Sequence, residues 1–100
     1  MSRYTFELDD FAEEEFYNTV NYYKQYDRSL SADFIHEFDQ AVQQLIAFPE
    51  AGTTYLHQTR RVFLDRFPYA IIYKIYPDNT IVAHAVTHLK RKPDYWTNRL

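Results

Sequence analysis

The chain has 100 residues, no cysteine, a net charge of −3 and an aromatic share of 19%. This length indicates one domain, and the missing cysteine excludes a disulfide framework, a thiolate metal site and a cysteine nucleophile. Because Gly52 is the only glycine, glycine-rich phosphate-binding loops are also excluded. Residues 1–50 carry a charge of −8 and residues 51–100 carry +5. A basic face in the second half would suit an acidic partner or a polyanion, although a solvated surface with local charge bias is the simpler interpretation.

The first half predicts one strand and two helices. Tyr4, Phe6 and Leu8 alternate with polar residues, which is typical of a strand with one buried face. Asp10 and Glu13 resemble a capping box and predict a helix start. The acidic residues 13–15 are interpreted as support for the helix dipole, not as a metal or acid–base site. Ser29 or Ser31 is expected to cap a second helix, which ends at the Pro49–Gly52 segment. Its apolar stripe is Phe34, Phe38, Ala41, Leu45 and Phe48.

The second half predicts three strands at residues 61–65, 69–75 and 81–89, and an antiparallel meander is their simplest pairing. Residues 90–100 form a basic, aromatic tail, with one helical turn expected after Pro93. The order β-α-α-β-β-β predicts a single α+β domain over residues 1–100, with a helical hairpin on one face of an antiparallel sheet. The other face is expected to stay open or to be partly covered by a partner.

Two histidines of the last predicted strand are candidates for chemistry. Along a strand, His84 and His88 are separated by about 13 Å, so we expect no metal site. His84 is interpreted as a packed histidine. His88 lies at the end of the strand beside basic residues and is the better functional candidate.

Three arginines at strand ends form a second candidate group. On one face of the sheet, Arg61, Arg66 and Arg91 would bind phosphate. With proton transfer by Tyr95 or His88, such a site would cleave RNA without a metal. The alternative is that these arginines are solvated and that the end of the tail, including Trp96, packs on the core.

The chain resembles the RelE/ParE superfamily of bacterial toxins from type II toxin–antitoxin systems, often called plasmid stabilisation proteins. The resemblance covers nearly the whole chain and depends on the order and spacing of several segments. These are Ala12-Glu13, Tyr22-Tyr23, Phe38-Asp39-Gln40-Ala41, Leu45-Ile46-Ala47-Phe48-Pro49, Arg61-Val62-Phe63-Leu64, Phe67-Pro68-Tyr69-Ala70-Ile71-Ile72-Tyr73, Val86-Thr87-His88 and Arg91-Lys92-Pro93-Asp94-Tyr95-Trp96.

The resemblance implies a toxin that a cognate antitoxin binds and blocks, with a heterotetramer as one assembly. ParE-like members inhibit DNA gyrase, and we favour this branch. One reason is that the net charge of −3 departs from the strongly basic ribosome-dependent members; the other is that the Phe67-Pro68-Tyr69 strand and the ending from His88 to Arg91 look ParE-like. Target-binding residues on this interpretation are Arg61, Arg66, Arg91 and Trp96.

The alternative is a RelE-like endoribonuclease that cleaves mRNA on the ribosome without a metal. Its catalytic candidates would be His88, Arg91 and Tyr95. A third hypothesis is an inactive member that binds only its antitoxin. On every interpretation we expect no cofactor, no membrane partner and, because the N-terminus has no long apolar segment, a cytoplasmic location.

Overall fold

The computed structural model describes residues 3–100, so Met1 and Ser2 of the predicted domain lie outside the described residues. The predicted order of strands and helices is confirmed, with one short strand added in the segment that was expected to be irregular. The elements are β1 (Thr5–Leu8), α1 (Asp10–Lys24), α2 (Arg28–Ala47), β2 (Thr53–Thr54), β3 (Arg60–Phe63), β4 (Tyr69–Ile75) and β5 (Thr80–His88). Short 3-10 turns occupy Leu56–Gln58 and Thr97–Arg99.

Both helices begin at an aspartate that was not predicted as the cap. Asp9, not Asp10, caps α1, and its Oδ1 accepts the Ala12 N–H at 2.8 Å. Asp27, not a serine, caps α2 by accepting the Ser29 N–H and hydroxyl, each at 2.8 Å. Aspartate and serine cap helices about equally well, so composition alone does not choose between neighbouring candidates.

The sheet is mixed and has the strand order β1-β5-β4-β3-β2. Strands β3 to β5 form the predicted antiparallel meander, and the short β2, which was not predicted, extends it by pairing with β3. Strand β1 pairs in parallel with β5, Thr5 opposite Thr80 and Leu8 opposite Ala83. The expectation of a wholly antiparallel sheet was therefore wrong for β1. Parallel pairing requires a long crossover connection, and the two helices are part of the chain that connects β1 to β5.

A β-bulge interrupts the pairing of β4 with β5. Ile72 lies opposite Ala85 and Tyr73 lies opposite Ala83, so His84 is the additional residue. Such a bulge shifts the alternation of side chains by one residue. Ala83 and Val86 consequently both belong to the core between helices and sheet, which a continuous period of two would not allow.

The main core lies between the helix pair and the sheet, and its centre is aromatic. The Phe34 side chain is fully buried and its ring lies 5.3 Å from that of Phe67 and 5.6 Å from that of Tyr69, both edge-on. Phe16 packs on Phe38 with ring centroids 4.5 Å apart. Phe34, Phe38 and Leu45 of the predicted stripe are buried. Phe48, the last member of that stripe, is 68% exposed instead, because α2 ends at Ala47 and the chain leaves the helix there.

The tail, residues 90–100, covers part of the opposite face of the sheet. Trp96 has no exposed surface and forms a second core cluster with Ile72 and Ala85. Its indole N–H donates to the Pro93 carbonyl at 2.8 Å, which fixes the ring within the turn. The face that was expected to stay open or to be covered by a partner is thus partly covered by the chain itself. No helix in residues 3–100 is long and apolar enough to cross a bilayer.

Candidate functional site

The side chain of Glu15 in α1 binds three side chains of the tail, and we call Glu15, Arg91, Tyr95 and Arg99 the Glu15 cluster. The Glu15 carboxylate accepts the Tyr95 hydroxyl at 2.5 Å and the guanidinium of Arg91 at 3.2 Å. Arg99 donates to it at 2.8 and 3.3 Å. The Glu15 and Arg99 side chains are only 12% and 11% exposed. This is a nearly buried ion pair that holds the tail on α1.

The same cluster closes an uncovered edge of β5. The register with β1 ends at Ala83, so within residues 3–100 the next part of β5 has no neighbouring strand on that side. Glu15 accepts the Val86 N–H at 3.0 Å, and Arg99 donates to the His84 carbonyl at 2.9 Å. Side chains therefore satisfy backbone groups that would otherwise form an exposed edge.

The environment of Tyr95 keeps its hydroxyl protonated. Burial, and then the hydrogen bond to Glu15, raise the pKa of Tyr95 to about 12. Its ring lies 3.7 Å from the Arg91 guanidinium carbon. At neutral pH Tyr95 is consequently a hydrogen-bond donor whose acceptor belongs to the protein itself.

A second group of predicted residues meets on the sheet face opposite the helices. Arg61 and Arg91 line one small cleft of about 80 Å³, which we call the Arg61 cleft. Its other lining residues are Tyr55, Ala70, Ile72, Thr87, His88, Leu89 and Pro93. The structure thus brings together Arg61 and Arg91, which the sequence analysis had placed at separate strand ends. His88 borders the cleft, but its ring packs on Tyr69, which belongs to the core between helices and sheet.

Two predicted target-binding residues lie elsewhere. Arg66 contacts α2 instead of the Arg61 cleft: its Nε donates to Glu37 at 3.3 Å and its Nη2 lies 3.8 Å from Asp33. The three arginines therefore do not share one face. Trp96 is fully buried, so it presents no surface to a target while the tail is docked, and its observed contacts hold the tail in place.

The two histidines behave differently. His84 is buried, its Nδ1 lying 2.8 Å from Asp9 and its Nε2 lying 2.8 Å from the Tyr76 hydroxyl, in agreement with the packed histidine that was expected. His88 packs edge-on against Tyr69 at 5.1 Å, and its Nδ1 accepts the Lys90 N–H at 3.0 Å. The described part of the chain holds no group of three or more metal-ligating side chains placed to bind a metal ion.

The sequence analysis missed the role of Glu15. It had grouped residues 13–15 together as helix support, but Glu13 and Glu14 are exposed whereas Glu15 is not. A signal was present, because Glu15 lies three residues after Ala12 and four before Thr19, both buried. A carboxylate on the buried stripe of a helix requires a cation, and the tail supplies two.

Comparison with known proteins identifies the fold and the family. Residues 6–93 match the family model for the ParE toxin of the type II toxin–antitoxin system, parDE. Among solved structures, a chain of the chromosomal ParDE TA system from P. aeruginosa matches with a TM-score of 0.75 at 13% identity. The match covers 87% of this chain and 97% of that one. No curated protein sequence matches the chain.

Proposed function

Because the chain belongs to the ParE family of type II toxin–antitoxin toxins, we propose that it inhibits DNA gyrase by binding it. In this proposal a cognate antitoxin neutralises the toxin, and both act in the cytoplasm. The toxin needs a recognition surface and no catalytic residues. Plasmid stabilisation would follow from the toxin being released when the antitoxin is lost.

The observation that carries the proposal is the Glu15 cluster. A ribonuclease site works best with a general base whose pKa lies near the working pH and with cations free to bind the scissile phosphate. Here Tyr95, with a pKa of about 12, donates to Glu15, and Arg91 is already paired with the same carboxylate. Two of the three catalytic candidates are thus engaged in holding the tail, which favours binding over mRNA cleavage on the ribosome.

The surface that we assign to the target surrounds the Arg61 cleft. Phe63 and Leu89 are 49% and 51% exposed. Phe63 lies beside Arg61, whose guanidinium carbon is 4.8 Å from the ring centroid, and Leu89 lines the cleft. Aromatic and arginine side chains are the residues that most often dominate the binding energy of protein interfaces.

The decisive experiment is a supercoiling assay with purified gyrase and increasing amounts of toxin, with antitoxin-bound toxin as the control. We expect free toxin to inhibit and the complex not to. Phe63→Ser is expected to weaken inhibition because it removes an exposed aromatic ring, whereas Tyr95→Phe, which keeps the ring and its packing, is expected to retain it. Circular dichroism verifies that each variant is folded.

Folded toxin that leaves gyrase unaffected would reject the proposal. The next assay would then be mRNA cleavage on ribosomes, where loss of activity in Tyr95→Phe would identify the endoribonuclease. If the toxin has no effect on growth when it is induced without antitoxin, the chain is an inactive member.

The proposed complex with the antitoxin is a heterotetramer of two toxins and two antitoxins. The support is the family assignment, and the structure offers β1 and β2 as the outer strands of the sheet, where a partner strand can be added. Light scattering on the purified complex measures the mass directly. A mass equal to one copy of each protein would contradict this assembly.

A further inference from the structure

We propose that the Arg61 cleft is a binding site for a carboxylate carried by a partner protein. The inference rests on the proposed function in one respect, because it takes this face of the sheet as the protein-binding surface. It goes further by naming the chemistry that the surface recognises: an aspartate or glutamate side chain with apolar neighbours.

The guanidinium of Arg61 is held in place but not neutralised. Its central carbon lies 3.9 Å from the Tyr55 ring centroid and 4.8 Å from that of Phe63, so two aromatic rings fix the group. Its Nε is buried and, among the described residues, has no hydrogen-bond partner. A buried donor without an acceptor is unfavourable, and an incoming acceptor removes that penalty.

Other arginines of the protein differ in this respect. Arg60 donates to the carbonyls of Glu50 and Gly52 at 3.0 and 2.9 Å. Arg66 and Arg99 are paired with carboxylates. The ion pairs found within residues 3–100 do not include Arg61. Arg61 is therefore a rigid, permanently charged donor that is available to an acceptor from another molecule.

The lining of the cleft selects the ligand. No aspartate or glutamate occurs among its described lining residues. Arg91 also lines the cleft, and its guanidinium, which is 55% exposed and shares the carboxylate of Glu15, adds positive charge beside Arg61. A volume of about 80 Å³ suits one planar group, and arginine binds carboxylates through two parallel hydrogen bonds.

A protein carboxylate fits better than a phosphate for two reasons. First, the exposed Leu89 lines the cleft and the exposed Phe63 contacts Arg61 beside it, and both match the apolar neighbours of an acidic residue in a peptide. Second, a nucleic acid carries many negative charges, which the net charge of −3 opposes at long range. The ligand of the cleft is therefore a single acidic side chain within an apolar segment.

The Nε–H signal of Arg61 in a ¹H–¹⁵N correlation spectrum provides a direct test without gyrase. The probe is the peptide acetyl-Leu-Glu-Leu-amide, with acetyl-Leu-Gln-Leu-amide as its matched control. We expect the glutamate peptide to move the Arg61 signal downfield with saturation and the glutamine peptide to leave it in place. The Nε–H of Arg66 already donates to Glu37, so its signal is expected to stay unchanged and serves as an internal reference.

Arg61→Lys keeps the positive charge but removes the planar donor pair, and we expect it to weaken peptide binding by about tenfold or more. Backbone signals of this variant report whether it is folded; if they collapse, Arg61→Gln replaces it. Equal shifts with both peptides, equal shifts at Arg66, or unchanged affinity in a folded Arg61 variant would overturn the proposal. Tighter binding of inorganic phosphate than of the glutamate peptide would also overturn it, in favour of a phosphate site.

Two further measurements identify the source of the carboxylate. Weaker gyrase inhibition by Arg61→Lys assigns it to the target, whereas weaker antitoxin binding assigns it to the antitoxin. Either result supports the proposal. If Arg61→Lys leaves both gyrase inhibition and antitoxin binding unchanged, the proposal is contradicted. A toxin that binds the glutamate peptide yet leaves gyrase unaffected would reject the proposed function while leaving the cleft assignment intact.

Discussion

Replacing Glu15 by alanine is expected to destabilise the protein strongly. The substitution removes the acceptor of Val86, Arg91, Tyr95 and Arg99 together. It leaves the Arg99 guanidinium, only 11% exposed, without its carboxylate. Removing one partner of a buried ion pair costs about 3–5 kcal/mol, a large part of the roughly 5–15 kcal/mol that stabilises a domain of this size.

The measurement is urea unfolding followed by two signals. Fluorescence of Trp96, the only tryptophan, reports the tail, and far-ultraviolet circular dichroism reports the helices. Under native conditions we expect Glu15→Ala to shift Trp96 emission to longer wavelength, because its burial depends on the docked tail, while the helical signal persists. The free energy of unfolding is expected to fall by about 3–5 kcal/mol, which lowers Tm by at least about 12 °C in a chain of this length.

Two variants separate the ion pair from other effects. Glu14→Ala removes the neighbouring exposed carboxylate, which forms no ion pair within the described residues, and is expected to change stability by less than about 0.5 kcal/mol. Glu15→Gln keeps the shape of the side chain but not its charge, so its stability loss should lie between those of Glu14→Ala and Glu15→Ala. A loss below about 1 kcal/mol in Glu15→Ala, with unchanged Trp96 emission, would refute the reasoning.

Three further changes test other contacts. Burial and the hydrogen bond to Glu15 raise the pKa of Tyr95 from its ordinary value of about 10 to about 12, so the native state keeps a proton that the unfolded state loses between these values. The contribution of Tyr95 to stability is therefore full below about pH 10 and falls as pH rises towards 12. Urea unfolding of wild type and Tyr95→Phe across this range should show a steeper fall in wild type, and parallel curves would contradict the assignment. In Gly52→Ala the new Cβ would clash with the Tyr73 hydroxyl oxygen. The clash displaces a hydroxyl that accepts the Gly52 N–H and donates to the Pro49 carbonyl. We expect Gly52→Ala to lower the free energy of unfolding by about 1–3 kcal/mol, and by less when Tyr73 is already replaced by phenylalanine. If the losses of the two single variants simply add in the double variant, the hydroxyl is not the obstacle. Asp9→Ala removes the cap of α1 and the carboxylate next to His84, and it should lower the free energy of unfolding by more than about 1 kcal/mol. Asp10→Ala should lower it only slightly. If thermal melts show the larger loss for Asp10→Ala, Asp10 is the cap.

The elements that could be predicted from the sequence are those that local patterns determine. The spacing of Phe34, Phe38 and Leu45 places the buried face of α2, and their burial agrees. The alternation of residues 69–75 likewise predicts β4, whose bounds are Tyr69–Ile75. In both cases the periodicity of side chains is a property of the segment itself.

The features that were missed depend on residues far apart in the chain. The parallel pairing of β1 joins residue 5 to residue 80, and the Glu15 cluster joins α1 to a tail more than 70 residues later. The bulge at His84 changes which side chains face the core without any glycine to indicate it. Such pairings follow from three-dimensional complementarity, so no local window of sequence contains them.

The two arginines Arg99 and Arg61 illustrate how the same side chain serves folding in one place and recognition in another. Arg99 is buried against Glu15, and the pair stabilises the docked tail at the cost of removing both charges from water. Arg61 is fixed between aromatic rings, but within the described chain its Nε has no acceptor. The fold supplies a carboxylate to Arg99, whereas the described residues supply none to Arg61. Substitutions at Arg99 should therefore act mainly on stability. Substitutions at Arg61 should act mainly on the affinity for a partner.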